Sequence, residues 1–356
     1  MRKKDCKYPE RLGKVGGQAV MEGVMMRSQK KTAIAVRRTD NGRISVRVKD
    51  TKSIKDKHRI LRLPVIRGIT NFIESLSSSF GTLTESTEML GLDLETDESS
   101  SKFDKWLTEK LGDKIMGVVT AVGAVLGVAL ALVLFIWLPA FIAGFIPSTA
   151  PEGQLDLLKC LADGVIKIII FVAYIYFTSL IPDIKRVYMY HGSEHKSIAC
   201  YEAGDELTVE NVRKHTRFHP RCGTSFMFVI LIISIIVNSL ILWAVGAIFP
   251  LAPINVSWFK ALIKLVALPL VVGISYEYIA YAGKHDNTFT HIFSAPGLWM
   301  QRLTTREPDD SMIEVAITSL KSALPDVFPD FEVPYEQDDD VADNAEATAD
   351  SEEQTC

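Results

Sequence analysis

Hydrophobic positions fall along this chain in three rhythms, and each predicts a different kind of element. The first is the unbroken apolar run. No charged residue occurs between Ile115 and Pro151, a stretch longer than the ~20 apolar residues needed to cross a bilayer. Later runs are similar, so membrane spans are predicted over 115–138, 161–181, 226–249 and 259–282, with Pro139 and Pro182 marking breaks or kinks at segment ends. The second span carries Asp163 and Lys167 near one end, where a lysine stem can reach the headgroups. More than a hundred polar and basic residues precede the first run, so it reads as an anchor and not as the core of a cleaved signal peptide.

The second rhythm is alternation. Residues 32–38 and 43–50 alternate apolar and polar positions around Thr39-Asp40-Asn41-Gly42, a β-hairpin with Asn-Gly supplying the positive φ of its turn. The third is helical. Over 64–90, Ile66, Ile69, Phe72, Ile73, Leu76 and Phe80 share one side, with Ser, Thr and Glu opposite, as in an amphipathic helix. It is expected to pack on the hairpin in a small cytosolic region, the alternative being a helix on the membrane surface. Ser311 and Glu314 have capping-box spacing before a further helix over 313–324. From about residue 325 the chain is acidic and poor in apolar residues, a disordered tail without chemistry. The glycine-rich stretch at 16–27 is expected to make a tight turn into the hairpin sheet.

The fold class predicted is mainly α: a polytopic membrane protein with about four transmembrane helices and a small N-terminal α+β region containing a β-hairpin. Its blocks are a basic N-terminal region 1–110, a membrane domain 111–300 with a His-rich loop 182–225, a helix at 301–324 and the acidic tail 325–356.

Charge adds orientation. The whole 356-residue chain has net charge −4, but residues 1–70 hold twenty Lys and Arg against six Asp and Glu, and twelve acids with no base follow Lys321. The 182–225 loop is also basic, whereas the 147–164 and 250–258 loops share only Lys159. The positive-inside rule then predicts both termini on the cytoplasmic side of the membrane. The basic surface suits anionic lipid headgroups and not nucleic acid, for no aromatic-interleaved binding pattern accompanies it. An ordinary cytosolic enzyme is excluded. Five scattered cysteines, an odd number, do not form a disulfide framework.

Histidines concentrate the candidate chemistry. Of seven, four lie within 29 positions: His191, His195, His215 and His219. His191-Gly192-Ser193-Glu194-His195 is H-x-x-E-H, which on a helix places two imidazoles on one face. That order occurs in zinc peptidases of the inverzincin type, where the carboxylate is a general base, the role expected of Glu194. His219 is the leading third ligand. Cys222, three residues on, is either a fourth ligand or a small buried residue in a turn. Glu277 sits inside an apolar span, where a carboxylate is costly unless it pairs, binds a cation or lines a wet cavity. It is expected to be a ligand or a ligand-orienting group, with a salt bridge to Arg186 or Lys284 as the alternative. Glu22 and Arg27, in the Gly16-Gly17-Gln18-Ala19-Val20-Met21-Glu22-Gly23 region, are candidates for the site rim.

Together with Tyr201-Glu202-Ala203-Gly204, His219-Pro220-Arg221-Cys222-Gly223, Tyr276-Glu277 and Leu303-Thr304-Thr305-Arg306-Glu307-Pro308, these blocks resemble the YqhQ-like family of bacterial membrane proteins over about residues 12–324. The resemblance implies a metal-dependent enzyme. It carries His191, Glu194, His195, His219, Cys222 and Glu277 as motif positions, along with Glu22, Arg27 and Glu202, and implies no substrate. The expected function is a membrane metalloprotein with a divalent metal, zinc by ligand type. It would hydrolyse a lipid-like or membrane-associated substrate at the cytosolic surface, possible as an oligomer. The alternative is a non-enzymatic transporter or scaffold with a structural metal.

Overall fold

The computed structural model describes residues 8, 10–51, 59–90, 115–147, 157–219, 221–249, 256–282 and 287–332. Most of the acidic tail lies outside them. Two compact units are present, one drawn from Met1–Leu92, Ile175–Val229 and Val272–Cys356, the other from Asp93–Tyr174 and Ile230–Val271.

The first unit is built on an antiparallel meander of β1 (Gly16–Val20), β2 (Gly23–Arg27), β3 (Lys31–Arg37) and β4 (Ile44–Asp50), in that spatial order. The predicted hairpin is β3–β4, with Ile34 opposite Arg47 and Gly42 at φ 70° in its turn. The glycine-rich stretch differs from expectation: it is a hairpin in its own right, pairing Gly17 with Met26 across a turn at Met21-Glu22. Glu22 accepts a left-handed φ of 49° there.

Both faces of the sheet are covered, so β2 and β3 are apolar at successive positions and do not alternate. Val24, Met26, Ala33, Ala35 and Val46 pack with Tyr190 and Ile198 of α5 (Pro182–Ala203) and with Met312, Ile313 and Leu320 of α10 (Asp310–Ala323). Val20, Met25, Ile34 and Val36 point the other way, onto Met89 and Leu90 at the end of α1 (Ile66–Met89).

The orientation of α1 reverses the expectation. Its polar side meets the sheet through Arg27–Glu74 at 2.6 Å, Arg47–Glu85 at 3.1 Å and Lys49–Glu85 at 2.8 Å, with Thr82 and Ser86 buried. Ile73, Leu76, Phe80 and Leu83 face outward. The start of α10 also differs. Its cap is Asp309, whose carboxylate accepts the Met312 N–H at 3.0 Å, so the helix begins before the predicted Ser311 box.

Among the described residues, four helices are long and apolar enough to cross a membrane: Val122–Gly144, Leu158–Thr178, Phe226–Ile248 and Trp258–Ala282. The first is composite. α2 (Ile115–Leu132) passes through a π-turn at Val133–Trp137 into α3 (Leu138–Gly144). Pro139 therefore does not end the span. It occupies the first turn of α3, where a missing N–H costs little. The remaining spans are α4 (Leu157–Thr178), α7 (Gly223–Ile248) and α8 (Ser257–Ala282). Val125, Leu126, Trp243 and Val266 are exposed on them, as on a bundle solvated by lipid. Pro182 does make the expected break: Ile181 is extended, with ψ 126°, and α5 starts afresh behind it. Two shorter α-helices are also described, α6 (Val209–Lys214) and α9 (Thr288–Thr304).

Candidate metal centre

Helix α5 opens with Pro182 in its first turn and closes on Gly204, whose φ of 80° supplies the left-handed cap. Between them His191 and His195 stand one turn apart, their ring centroids 4.4 Å from each other. Each ring is turned by a backbone carbonyl. His191 Nδ1 lies 2.9 Å from the Thr304 oxygen, and His195 Nδ1 lies 2.5 Å from the Arg217 oxygen. A carbonyl can only accept, so both Nδ1 atoms carry the proton and both Nε2 atoms keep a lone pair. Burial also holds the His195 imidazole below its ordinary pKa, which favours the neutral, ligating form.

Cys222 completes the group. Its sulfur is 3.3 Å from His191 Nε2, and ligand atoms of His191, His195 and Cys222 all lie within 4.8 Å of one another. The residue sits immediately before α7, with the Thr224 N–H and hydroxyl at 3.4 and 3.1 Å from the sulfur. This set of two imidazole nitrogens and one sulfur fits a borderline-soft divalent cation.

Glu194 projects beside the histidines. It is buried, its Oε2 has no hydrogen-bond partner among the described residues, and burial pushes its carboxyl up to about 7. Gly17 of β1 makes the space: a Cβ there would stand 2.8 Å from the Glu194 Cγ. An open cleft of about 890 Å³ runs over the group, with Gly17, Asn71, Glu74, His191, Glu194 and Cys222 in its walls.

Gly192 has an equally concrete role. A side chain at this position would collide with the Arg306 carbonyl oxygen, so glycine admits the 304–306 segment that orients His191. The loop behind Cys222 is held by Gln301 of α9, fully buried, whose amide accepts the His219 N–H at 2.8 Å and donates to the His219 carbonyl at 2.7 Å.

The other expected site residues stand outside the three-atom group. His219 is buried with its ring centroid 5.6 Å from that of His195, but its Nε2 faces Glu202 at 3.5 Å and it stands outside the close three-atom group. Cys222 takes the third place instead. Glu202 is occupied structurally, accepting the Gly13 N–H at 2.8 Å and pairing with Arg221. Glu277 is also outside the group: the Arg67 guanidinium grips both its oxygens and the Val65 N–H donates to it at 3.1 Å. The salt-bridge alternative holds, with a partner different from those expected. Of the rim candidates, Arg27 lines the cleft and pairs with Glu74, whereas Glu22 is bound by Arg186 at 2.5 Å and by the Tyr190 hydroxyl at 3.3 Å.

A family model described as "Protein of unknown function (DUF1385)" matches residues 63–326, which include every member of the group. The chain belongs to this DUF1385 family. It is 35% identical over 310 residues to "Uncharacterized protein YqhQ" of Bacillus subtilis (strain 168), covering 87% of this chain and 92% of that protein. No solved structure matches the chain. The DUF1385 model begins after β4 and so leaves out Gly17, while including the Thr304, Gln301 and Arg306 contributions. The 303–308 block marks Thr304 and Arg306 in the sequence but not their role, because both act through backbone carbonyls, and Gln301 acts through a side-chain amide of ordinary composition.

Proposed function

We propose that the chain is a membrane metalloprotein, a metal-dependent hydrolase acting on a lipid-like or membrane-associated substrate at the cytosolic face of the bacterial inner membrane. Zinc is the metal that the ligand types favour. The observation that carries this reading is the commitment of both Nδ1–H groups to carbonyls, which leaves two Nε2 lone pairs converging with the Cys222 sulfur. Three protein ligands leave a fourth position open, the arrangement of catalytic and not of structural sites. When bound, such a cation polarises a substrate oxygen and makes hydroxide available near neutral pH. Glu194, enclosed and with an unpartnered oxygen, would take the proton from the attacking water and return it to the leaving group.

The location rests on the four spans and on the basic segments flanking them. The substrate class draws support from α1, which lends Asn71 and Glu74 to the cleft while exposing Ile73, Leu76 and Phe80 on its other side. The non-enzymatic reading, a transporter or scaffold with a structural metal, rests on His219, buried beside His195 and able to close a four-ligand site.

Metal content of the detergent-purified protein tests the proposal. Stoichiometric zinc is expected in the wild type and in Glu194→Gln, with loss in His195→Ala. Loss from both variants would make Glu194 a ligand and end its role as base. Four protein ligands in an X-ray absorption spectrum would favour the structural site.

A further inference from the structure

The membrane unit contains a polar cavity that the metal centre does not use. It has a volume of about 180 Å³ and is lined by Asp163 and Lys167 of α4, Ser234 and Asn238 of α7, and Lys260 and Lys264 of α8. These side chains do not sit only at a span end. Lys167 is ten residues into α4, ~15 Å along the helix at ~1.5 Å per residue, and is 7% exposed. Lys264 is buried to the same degree and donates to Asp163 Oδ2 at 2.6 Å. Lys167 makes no hydrogen bond or ion pair among the described residues. Neither does the other oxygen of Asp163, nor the amide oxygen of Asn238, both fully buried.

Charge counting makes this arrangement informative. Among the described residues the lining holds one carboxylate, Asp163, against four lysines, Lys159, Lys167, Lys260 and Lys264, so cationic charge is in excess in a low-dielectric setting where ionisable residues persist only when paired or functional. An anion would supply the missing charge. Two orphan acceptors, Asp163 Oδ1 and Asn238 Oδ1, further require that the anion bring a hydrogen-bond donor of its own.

We propose that this cavity binds a protonated tetrahedral oxyanion, namely hydrogen phosphate or the phosphate monoester of a lipid headgroup. Lys167 and Lys260 would neutralise its charged oxygens, and the anion's own O–H would satisfy Asp163 Oδ1. Sulfate, which is fully deprotonated, offers no such donor and leaves the Asp163 oxygen stranded. The site shares no residue with the His–His–Cys group, and its failure would leave the metalloprotein reading untouched.

The test uses the full chain in detergent with radiolabelled inorganic phosphate, and in parallel native mass spectrometry after reconstitution with phosphatidic acid or phosphatidylcholine. Saturable phosphate binding is expected, with sulfate competing at least tenfold more weakly. Lys167→Met is expected to lose at least tenfold in affinity, its apolar side chain filling the same space. Asp163→Asn is expected to admit sulfate, since its amide can donate. Selective retention of phosphatidic acid with weak free-phosphate binding assigns the site to a lipid headgroup, and the reverse assigns it to the free ion. The proposal is overturned if neither ligand binds saturably, or if Lys167→Met binds both as tightly as the wild type.

Discussion

The sulfur of Cys222 lies 3.3 Å from Nε2 of His191, a partner 31 positions away in the sequence. Their meeting depends on the break before Pro182. A helix continuing straight from α4 would carry His191 ~15 Å past residue 181 at ~1.5 Å per residue, whereas the extended Ile181 starts α5 in a new direction. The cysteine thereby becomes the third member of the close group, a place the spacing alone suggested for His219.

A thiolate ligand has a spectroscopic consequence. Replacing the native metal with Co²⁺ is expected to produce a sulfur-to-metal charge-transfer band in the near ultraviolet, together with the visible bands of a tetrahedral site. Cys222→Ser should abolish the charge-transfer band while keeping weaker metal binding through His191 and His195. Persistence of the band in Cys222→Ser would remove the sulfur from the site.

Two glycines are required by close approach. Gly17→Ala would press a methyl group against the Glu194 side chain, and Gly192→Ala would push away the backbone that orients His191. Each is expected to lower stability by about 1–3 kcal/mol, the usual cost of overpacking. They should differ in function. Gly192→Ala weakens metal retention, because the Thr304 contact is lost, whereas Gly17→Ala keeps the metal and displaces only the carboxylate. Denaturant titration alongside metal analysis separates the two.

Gln301 clamps the His219 backbone from both sides. Its replacement by Leu leaves a buried N–H and C=O without partners, a loss of about 1–3 kcal/mol. The Arg217 carbonyl and Cys222 belong to the same loop, so metal affinity is expected to fall by about 10–100-fold, as for other groups that orient ligands. Competition with a chromogenic chelator measures it. Unchanged affinity would show that the loop holds its shape without the clamp.

Much of this architecture is legible in the sequence because it rests on periodicity. The spans follow from long apolar runs, the β3–β4 hairpin from its Asn-Gly turn, and α1 from its 3.6-residue spacing. Packing partners are not encoded in that way. The apolar stripe of α1 would ordinarily face the sheet, but Glu74 and Glu85 find Arg27, Arg47 and Lys49 on β2 and β4 and turn the helix over. The H-x-x-E-H spacing marks two ligands, yet the choice between Cys222 and His219 depends on Glu202 and Arg221 engaging the histidine. A carboxylate in an apolar span is a correct signal of something unusual, but Glu277 answers to Arg67, which lies 210 positions earlier.

Asp309 adds a pH dependence to the packing of α10 on the sheet. Burial opposes ionisation, but the Ser311 hydroxyl and the Met312 N–H donate to the carboxylate, and its pKa lies below the ordinary value. A depressed native pKa means the unfolded chain binds the proton more readily. The contribution is therefore full above the unfolded carboxylate value of about 3.9 and is lost as pH falls through the native value. Asp309→Ala is expected to cost about 1 kcal/mol near neutral pH, as for other helix caps, and to flatten the stability profile in the acid range. An unaltered acid limb in the variant would assign that limb to other carboxylates.

The Arg67–Glu277 pair separates a structural acid from a metal-binding one. Glu277 receives two guanidinium contacts and a backbone N–H, while Gly68 and Gly273 carry no side chain where α1 approaches α8. Arg67→Ala would leave the half-buried carboxylate without its counter-charge, so the thermal midpoint is expected to fall. Glu277→Gln should destabilise less, because an amide oxygen still accepts the Val65 N–H and the charge to be compensated has gone. The double variant Arg67→Met/Glu277→Leu is expected to recover much of the loss, since two apolar side chains replace an ion pair. Throughout the series metal content should remain stoichiometric. If Glu277→Gln releases metal while its thermal midpoint holds, the carboxylate belongs to the coordination sphere and the ion pair with Arg67 is not its working state.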